Sequence, residues 1–190
     1  MNADHRPSTP KVQRNGLLAF YASVWRPLGI SPSLIRERGL PLFEEATELV
    51  VADSGAGGRE YQLTPVAALA WQRMKVAAEE DGVDLQVVSA YRSVARQAEL
   101  IGRRLAAGQS LDAVLSVLAP PGCSEHHTGR AVDIATGNVM PLEPEFEATP
   151  AFSWLLEHAG AHGFTLSFPR NNPYGYIYEP WHWCLSEAPA

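Results

Sequence analysis

The sequence predicts an α+β fold, because short runs suited to strands lie between segments that carry helix-start signals. A capping residue followed by proline, which favours the start of a helix, occurs at Ser31-Pro32, Thr64-Pro65 and Thr149-Pro150. Runs rich in β-branched residues, such as residues 85–90, are typical of strands. A chain of 190 residues with 46% hydrophobic content is long enough for one sizeable core and short for two full domains.

The first 58 residues are predicted to be an N-terminal extension. Residues 1–15 contain prolines, polar groups and little apolar periodicity, so we expect a mobile tail there. A short helix is predicted over residues 32–38, with Gly39 as its stop, and a strand over residues 49–52. The glycine-rich residues 55–58 then form a loop, which we take as the boundary before a domain of residues 59–190.

Two helices flank the next predicted strand. The first starts at Thr64-Pro65 and runs to Asp81-Gly82, and its core-facing residues are expected to be Val66, Leu69, Ala70, Met74 and Ala77. The strand over residues 85–90 is followed by Ser93, which is placed to cap a helix that reaches Gly108. Arg92 therefore lies at a strand-to-helix junction, where a fixed scaffold presents functional side chains.

Helices and strands continue to alternate in the second half of the chain. Helices are predicted over residues 110–118 and 149–163, strands over residues 130–135 and 164–168, and a Pro/Asn/Gly loop over residues 169–175. A final strand over residues 177–185 is interrupted by Pro180. The tryptophans are expected to pack in the core: Trp71, Trp154, Trp181 and Trp183.

Residues 123–134 concentrate side chains that bind metals. His126, His127 and Asp133 lie within this stretch, and a second segment near the C-terminus holds His182 with Glu179 three residues before it. Imidazole and carboxylate groups are ordinary zinc ligands, and a catalytic zinc site takes three of them and leaves one position for water. Glu179 is then the candidate base. Spacing alone does not decide between His126 and His127.

Three blocks of the chain together resemble a known family. The pattern Ser124-x-His126-x-x-Gly129-x-Ala131-x-Asp133, the segment Glu179-x-Trp181-His182, and the stretch Ser89-Ala90-Tyr91-Arg92-Ser93-x-x-x-Gln97 occur in the expected order between about residues 64 and 183. This arrangement resembles the VanY-like zinc D,D- and L,D-carboxypeptidases of the M15 group, which trim peptidoglycan stem peptides. A match of all three blocks is far more specific than one histidine-rich motif.

The resemblance implies a fold, a cofactor and a set of site residues. It implies a small antiparallel sheet that carries the zinc site and packs with several helices, as in hedgehog and D,D-peptidase domains. It also implies one Zn²⁺ held by His126, Asp133 and His182, with Glu179 as catalytic base and Arg92 as a catalytic and substrate-binding residue. The remaining implied substrate contacts are Ser93, Gln97 and Ser124.

The chemistry of two of these residues agrees with the implied roles. A guanidinium holds a carboxylate through two hydrogen bonds, and a carboxypeptidase must recognise the free C-terminal carboxylate of its substrate, so Arg92 suits that task. Glu179 and His182 are three residues apart and would face opposite sides of a straight strand. A bend at Pro180 would allow both to face one pocket.

Three alternatives remain open at this stage. The related fold also hosts murein endopeptidases, and it hosts binding domains that keep zinc without catalysis. A closed structural site made by Cys123, His126, His182 and Cys184 would also satisfy zinc chemistry, although it leaves Asp133 and Glu179 without partners.

Composition limits the partners and the compartment. The net charge of -6 offers no basic stripe for nucleic-acid phosphates, and no apolar run is long enough to span a bilayer. The resemblance implies a peptidoglycan stem peptide or muropeptide as partner. Two cysteines are too few for a disulfide framework, and no convincing signal peptide precedes residue 25, so the expected location is the cytoplasm, with the periplasm or cell envelope as the alternative.

Overall fold

The computed structural model describes residues 11–137 and 139–186. Its helices are α1 (Lys11–Trp25), α2 (Pro32–Glu37), α3 (Pro65–Glu80), α4 (Val94–Ala106), α5 (Leu111–Val117) and α6 (Pro150–His158). Its strands are β1 (Val50–Ser54), β2 (Glu60–Leu63), β3 (Gln86–Ser89), β4 (Ala131–Ala135), β5 (Phe164–Leu166) and β6 (His182–Leu185). This mixture of helices with small antiparallel sheets confirms the α+β prediction. None of the described helices is both long and apolar enough to cross a bilayer.

The helix starts agree closely with the capping signals of the sequence. In each of five helices the hydroxyl of the capping residue accepts a hydrogen bond from the backbone N–H three residues later, which satisfies one of the free donors of the first turn. These caps are Ser31, Thr64, Ser93, Ser110 and Thr149.

A four-stranded antiparallel sheet forms the centre of the molecule. Its strand order is β3-β4-β6-β5, so β4 and β6 are the two inner strands. All five residues of β4 are buried, because helices and loops cover both faces of the strand. A separate two-stranded ribbon pairs β1 with β2, and β2 was not expected from the sequence.

The larger hydrophobic cluster packs α3 and α6 against the four-stranded sheet. Trp71, Trp154, Trp181 and Trp183 all belong to it, which confirms their predicted place in the core. The predicted core face of α3, however, was wrong. Val66 is 72% exposed and Leu69 is 54% exposed, whereas the buried residues of α3 are Ala67, Ala68, Trp71, Met74 and Ala78. Of the five expected residues only Met74 is fully buried, while Ala70 and Ala77 are partly buried against the cluster.

A second hydrophobic cluster joins the N-terminal segment to the rest of the chain. From α1, α2 and the turns beside them it takes Tyr21, Trp25, Ile30, Ile35 and Leu40. From α4, α5 and the loop that follows it takes Val94, Ile101, Val114, Leu115 and Cys123. The division of the chain at residues 58 and 59 stays a prediction, but the two sides of that division share this core.

Two other expectations differ from the structure. Residues 11–15 form the start of α1 instead of a mobile tail, and residues 1–10 lie outside the described part of the chain. The last strand begins only at His182, because residues 177–181 run as a loop through Pro180.

Candidate metal centre and active site

The two inner strands bring Asp133 and His182 together. These residues are direct partners in the antiparallel pairing of β4 with β6, so their side chains stand on the same face of the sheet. His126 joins them from a 3₁₀ turn, Glu125–Thr128, that immediately precedes β4. One possible ligand atom from each of the three buried residues lies within 4.8 Å of the others.

Asp133 is the centre of this group. Its Oδ2 lies 3.2 Å from Nε2 of His126, and its Oδ1 lies 2.9 Å from Nδ1 of His182. The two imidazole rings meet edge to face, with their centroids 4.9 Å apart. His126 Nε2, His182 Nδ1 and the Asp133 carboxylate therefore face a common point.

Glu125 is a functional residue that sequence reasoning missed. Its Oε2 lies 2.9 Å from Nε2 of His182, on the side of the ring opposite Asp133, and it also accepts a hydrogen bond of 2.5 Å from the Ser167 hydroxyl. A metal-bound histidine ordinarily donates its second ring N–H to a carboxylate of this kind, which fixes the tautomer and orientation of the ring. The available signal was an acidic residue directly beside His126, but the sequence does not reveal that its partner is His182.

Gly129 ends the turn that carries His126. Its φ of +63° lies in the left-handed region, and a Cβ at this position would come within 3.2 Å of the Thr64 backbone nitrogen and 3.0 Å of a Leu49 methyl carbon. The Gly129 carbonyl also accepts a hydrogen bond from the Thr64 N–H. Glycine is required here because the chain turns sharply from the 3₁₀ turn into β4 against another backbone.

His126 and Asp133 are in the ionisation states that metal ligands need, whereas His182 must lose a proton before it can bind a metal. Burial lowers the pKa of His126, which keeps its imidazole neutral, as a metal ligand must be. Burial alone would raise the pKa of Asp133, but the neighbouring His126 and His182 hold it below its usual range, so the carboxylate is ionised. Burial would likewise lower the pKa of His182, but its bonds to Asp133 and Glu125 raise it to about 10.

The residues fit a zinc ion. Two imidazole nitrogens and one carboxylate are an ordinary donor set for a catalytic zinc site. Nδ1 of His126 is buried and has no hydrogen-bond partner among the described residues, so the polar contact that holds this ring is the one between its Nε2 and Asp133. The structure thus brings together the three predicted ligands, and their role as ligands stays a prediction.

Glu179 lies at the edge of the same group. Its Oε2 is 4.0 Å from Nδ1 of His182, and a turn in which the His182 N–H donates to the Glu179 carbonyl places both residues on one side. This is the bend that the sequence suggested at Pro180. Burial raises the pKa of Glu179 to about 7, so the carboxyl group exchanges a proton readily near neutral pH.

The side chain of Arg92 enters the site from the junction between β3 and α4. Its Nη1 donates to Oε1 of Gln97 at 3.1 Å, and its Nη2 donates to the Ser89 hydroxyl at 3.4 Å. Burial lowers the pKa of this guanidinium, and Asp133 and Glu179 oppose that shift. The two hydrogen bonds leave other donors of the five-donor guanidinium group for a ligand.

The backbone of Arg92 is fixed to the histidine turn. Its N–H donates to the His126 carbonyl at 3.1 Å, and its carbonyl accepts from Nδ1 of His127 at 2.6 Å. Nε2 of His127 accepts from the Gly122 N–H, so both nitrogens of this fully buried ring are occupied within the protein. His126 is therefore the histidine free to bind a metal, and His127 joins the two functional blocks.

The other predicted substrate contacts have different surroundings. Gln97 is 1% exposed and lines the cavity, where it holds Arg92 and donates to the Ala119 carbonyl. Ser124 is buried and also lines the cavity. Ser93 does not line it, because its hydroxyl caps α4 by accepting from the Arg96 N–H.

The two cysteines do not join the metal-binding group. Cys123 is buried in the second hydrophobic cluster, where burial raises the pKa of its thiol to about 12. Neither cysteine forms a disulfide, and neither belongs to the cluster of close ligand atoms. A closed site of two cysteines and two histidines is therefore not present in the described part of the chain.

A cavity of about 330 Å³ opens over the His126, Asp133 and His182 group. Arg92, Ser124, Glu125 and Glu179 also line it. Apolar and aromatic side chains also line it: Val117, Leu118, Leu142, Phe168, Tyr176 and Ile177. The cavity thus combines a metal-binding group, a base and a buried cation with an apolar wall, which is a common composition of an enzyme site.

Comparison with known proteins gives a consistent result. The sequence model of the VanY family, described as D-alanyl-D-alanine carboxypeptidase, matches residues 60–187. A putative carboxypeptidase of Bacillus subtilis (strain 168), YodJ, is 32% identical over 167 residues, which is 84% of this chain and 61% of that protein. The chain therefore spans less than two thirds of the length of this curated relative.

Solved structures agree in fold. The LdcB LD-carboxypeptidase, whose structure was described in terms of peptidoglycan recognition, is 32% identical with a TM-score of 0.67, over 76% of this chain and 71% of that one. The vancomycin resistance D,D-pentapeptidase VanY, solved in complex with Zn(II), is 27% identical with a TM-score of 0.57, over 74% of this chain and 79% of that one.

Proposed function

Because this chain belongs to the VanY family of D-alanyl-D-alanine carboxypeptidases and is a metallopeptidase, we propose that it removes a C-terminal D-alanine from peptidoglycan stem peptides. One observation carries this proposal: the base Glu179 and the guanidinium of Arg92 line the same cavity as His126, Asp133 and His182. A structural zinc site needs neither of these groups.

The residues that would hold a zinc ion are His126 through Nε2, His182 through Nδ1, and the carboxylate of Asp133. A zinc ion held there would supply Lewis acidity for hydrolysis of the peptide bond. Glu125 holds the second nitrogen of His182, so the ring presents Nδ1 to the ion.

Glu179 moves the proton. Its carboxylate accepts a proton from the attacking water and then gives that proton to the amine of the departing D-alanine. A carboxyl group with a pKa of about 7 suits both steps, because it gains and loses a proton with little cost at neutral pH. Its 4.0 Å separation from the His182 ring supports a proton transfer beside the proposed metal ligands.

Arg92 binds the C-terminal carboxylate of the peptide. Gln97 and Ser89 orient the guanidinium plane, and the hydrogen bonds of its backbone to the histidine turn fix its distance from the metal ligands. This arrangement fixes the distance between the bound carboxylate of the substrate and the scissile bond. It therefore favours removal of a single terminal residue over cleavage inside a chain.

The 32% identity to LdcB, an LD-carboxypeptidase, supports the L,D form of the reaction. The proposed substrate is then a tetrapeptide stem, in which D-alanine follows a residue of L configuration. Cytoplasmic residence, which we also propose, agrees with tetrapeptide trimming during wall recycling.

Product analysis on defined stems tests this function. The zinc-loaded protein is expected to release D-alanine from a tetrapeptide stem faster than from a pentapeptide stem, and to reject a tetrapeptide whose C-terminus is amidated. Faster pentapeptide cleavage would assign D,D-specificity instead. Cleavage at an internal bond, with equal rates on acid and amide, would assign an endopeptidase and overturn the proposal.

The matched control is Glu179→Gln, which keeps the size of the side chain and removes the base. It is expected to bind as much zinc as the parent protein and to lose at least about 100-fold in kcat. A variant that turns over tetrapeptide at the parent rate would show that the base lies elsewhere.

A further inference from the structure

The helix α4 carries three arginines, which differ in their partners. Arg96 and Arg103 both form ion pairs with Glu99, at 2.8 Å and 4.0 Å. Within residues 11–137 and 139–186, no side-chain hydrogen bond or ion pair involves the guanidinium of Arg104. The five N–H donors of this permanently charged group are therefore available to a ligand.

Arg104 lies on the face of α4 that borders the cavity. Gln97 and Arg104 are seven residues apart, which is close to two helical turns, so their side chains leave the helix on the same side. Both residues line the cavity, whereas Arg96 and Arg103 do not. Because Gln97 binds the guanidinium of Arg92, this side of α4 presents one cation beside the metal-binding group and a second one farther along the helix.

The side chain of Arg104 is directed along the cavity toward the metal-binding group. Seven residues of helix place its backbone about 10.5 Å from that of Gln97. Helical side chains lean toward the N-terminus of their helix, so the long side chain of Arg104 leans back toward Gln97. Arg104 is also exposed, so its charge is accessible to a ligand that enters the cavity from solvent.

The acidic residues of the cavity leave Arg104 unneutralised. Asp133 and Glu125 bind the His182 ring, and Glu179 lies 4.0 Å from the same ring, so these three carboxylates belong to the metal-binding end. The fourth carboxylate of the lining, that of Glu143, forms no ion pair with Arg104 among the described residues. A ligand that brings its own carboxylate would therefore be the partner of this guanidinium.

We propose that Arg104 binds a second carboxylate of the stem peptide, on the N-terminal side of the scissile bond. The inference rests on the proposed function and deepens it, because it adds a substrate contact remote from Arg92. A stem peptide offers two such groups: the α-carboxylate of its γ-linked glutamate, and the side-chain carboxylate of its third residue where that residue is diaminopimelate. A guanidinium group binds either one through two parallel hydrogen bonds.

Arg104→Gln tests the proposal, because it removes the charge and keeps a polar side chain. We expect KM for an acidic stem to rise about 3- to 10-fold with kcat little changed, since the contact is remote from the scissile bond and open to solvent. The rise is expected to shrink at high ionic strength, because salt screens exposed charge pairs. Steady-state kinetics of the zinc-loaded protein at low and high salt measure both effects, on the stem length that the parent protein cleaves faster.

Arg103→Gln is the matched control. It removes the same charge from the neighbouring residue, and both arginines lie in the last turn of α4, where cations interact favourably with the helix dipole. Arg103 does not line the cavity, so the KM of the parent protein is expected. An equal rise in KM for the two variants would assign the effect to net charge or to the helix, and the inference would be wrong.

Two pairs of stems identify the carboxylate. Amidation of the glutamate α-carboxylate removes one source, and lysine in place of diaminopimelate removes the other. If Arg104 binds the glutamate, the parent protein has a higher KM for the amidated stem, whereas Arg104→Gln has the same KM for acid and amide. A loss of preference for diaminopimelate over lysine in Arg104→Gln would assign the third residue instead.

The outcomes separate this inference from the proposed function. If the parent protein and Arg104→Gln discriminate equally within both pairs of stems, Arg104 binds neither carboxylate, and the inference fails while the proposed function stands. A parent protein that hydrolyses none of these stems would overturn the proposed function and this inference with it.

Discussion

Glu125 shows how one side chain outside the ligand group can govern a metal site. It forms a hydrogen bond with Nε2 of His182 and accepts a hydrogen bond from the Ser167 hydroxyl. Ser167 and Glu125 together therefore orient the His182 ring. The proposed ligand His182 and its partner Glu125 are 57 residues apart in the sequence. No spacing rule connects them, which is why the three ligands and Glu179 could be proposed from the sequence whereas Glu125 could not.

Loss of this carboxylate should weaken zinc binding. We expect Glu125→Ala to lower zinc affinity about 10- to 100-fold, because outer partners of ligating histidines contribute on this scale. Glu125→Gln keeps an oxygen that can accept from His182 and should recover part of the affinity. Competition with a chromogenic chelator measures both values.

A purely structural role for Glu125 would give a different pattern. Both variants would then lose stability to thermal unfolding in the zinc-free state, and the glutamine variant would bind zinc no better than the alanine variant. If Glu125→Ala binds zinc with the affinity of the parent protein, the hydrogen bond from Glu125 to His182 does not contribute to metal binding.

At the scale of elements, the start of α4 depends on the N-terminal segment. Oε2 of Glu45 accepts from the Val94 N–H at 2.6 Å, and Oε1 accepts from the Tyr91 hydroxyl at 2.9 Å. A carboxylate at this end of a helix also interacts favourably with the helix dipole. Glu45 thereby fixes the residues on either side of Arg92.

Glu45→Gln should therefore affect both stability and binding. We expect a loss of about 0.5–1 kcal/mol in the free energy of unfolding, because the contact is partly exposed, and a rise in KM with kcat little changed. Urea unfolding and steady-state kinetics measure the two effects. Glu48→Gln removes the same charge from a nearby exposed side chain and should leave both unchanged. An equal rise in KM for the two variants would attribute the effect to net charge.

The elements that the sequence predicted best are those with local signals. Capping hydroxyls and prolines act within one helical turn, so the starts of α2, α3, α4, α5 and α6 follow directly from the residues. The buried face of α3 could not be chosen in this way, because the helix is apolar on two sides. Trp71 lies against Asp53 and the sheet, and this contact between distant parts of the chain selects the face.

At the scale of the whole molecule, the N-terminal segment supports the loop that carries the proposed active site. The Phe43 and Ala46 N–H groups donate to the Gly122 and His127 carbonyls, so this segment runs along the loop that leads into the histidine turn. A Cβ on Gly122, whose φ is +85°, would lie only 2.5 Å from the Tyr21 ring. The family match begins at residue 60, yet residues before it support the site.

Removal of residues 1–58 should therefore prevent folding. The deletion would expose the α4 and α5 side of the second hydrophobic cluster and remove five large buried side chains of α1, α2 and their turns. Each such side chain contributes about 1.5–3 kcal/mol, and the sum is comparable with the whole stability of a domain of this size. Near-ultraviolet circular dichroism and resistance to limited proteolysis measure the outcome. A soluble fragment of residues 59–190 that unfolds cooperatively would contradict this expectation.

The pairing of β4 with β6 affects both the rate of folding and the effect of a metal ion on stability. Asp133 and His182 are 49 residues apart, and their strands are the two inner strands of the sheet. The chain must close this long loop before the metal-binding group exists, and such non-local contacts slow folding. An ion that binds the folded chain and not the unfolded one stabilises the folded state. The folding equilibrium therefore shifts toward the completed sheet as the concentration of the ion rises.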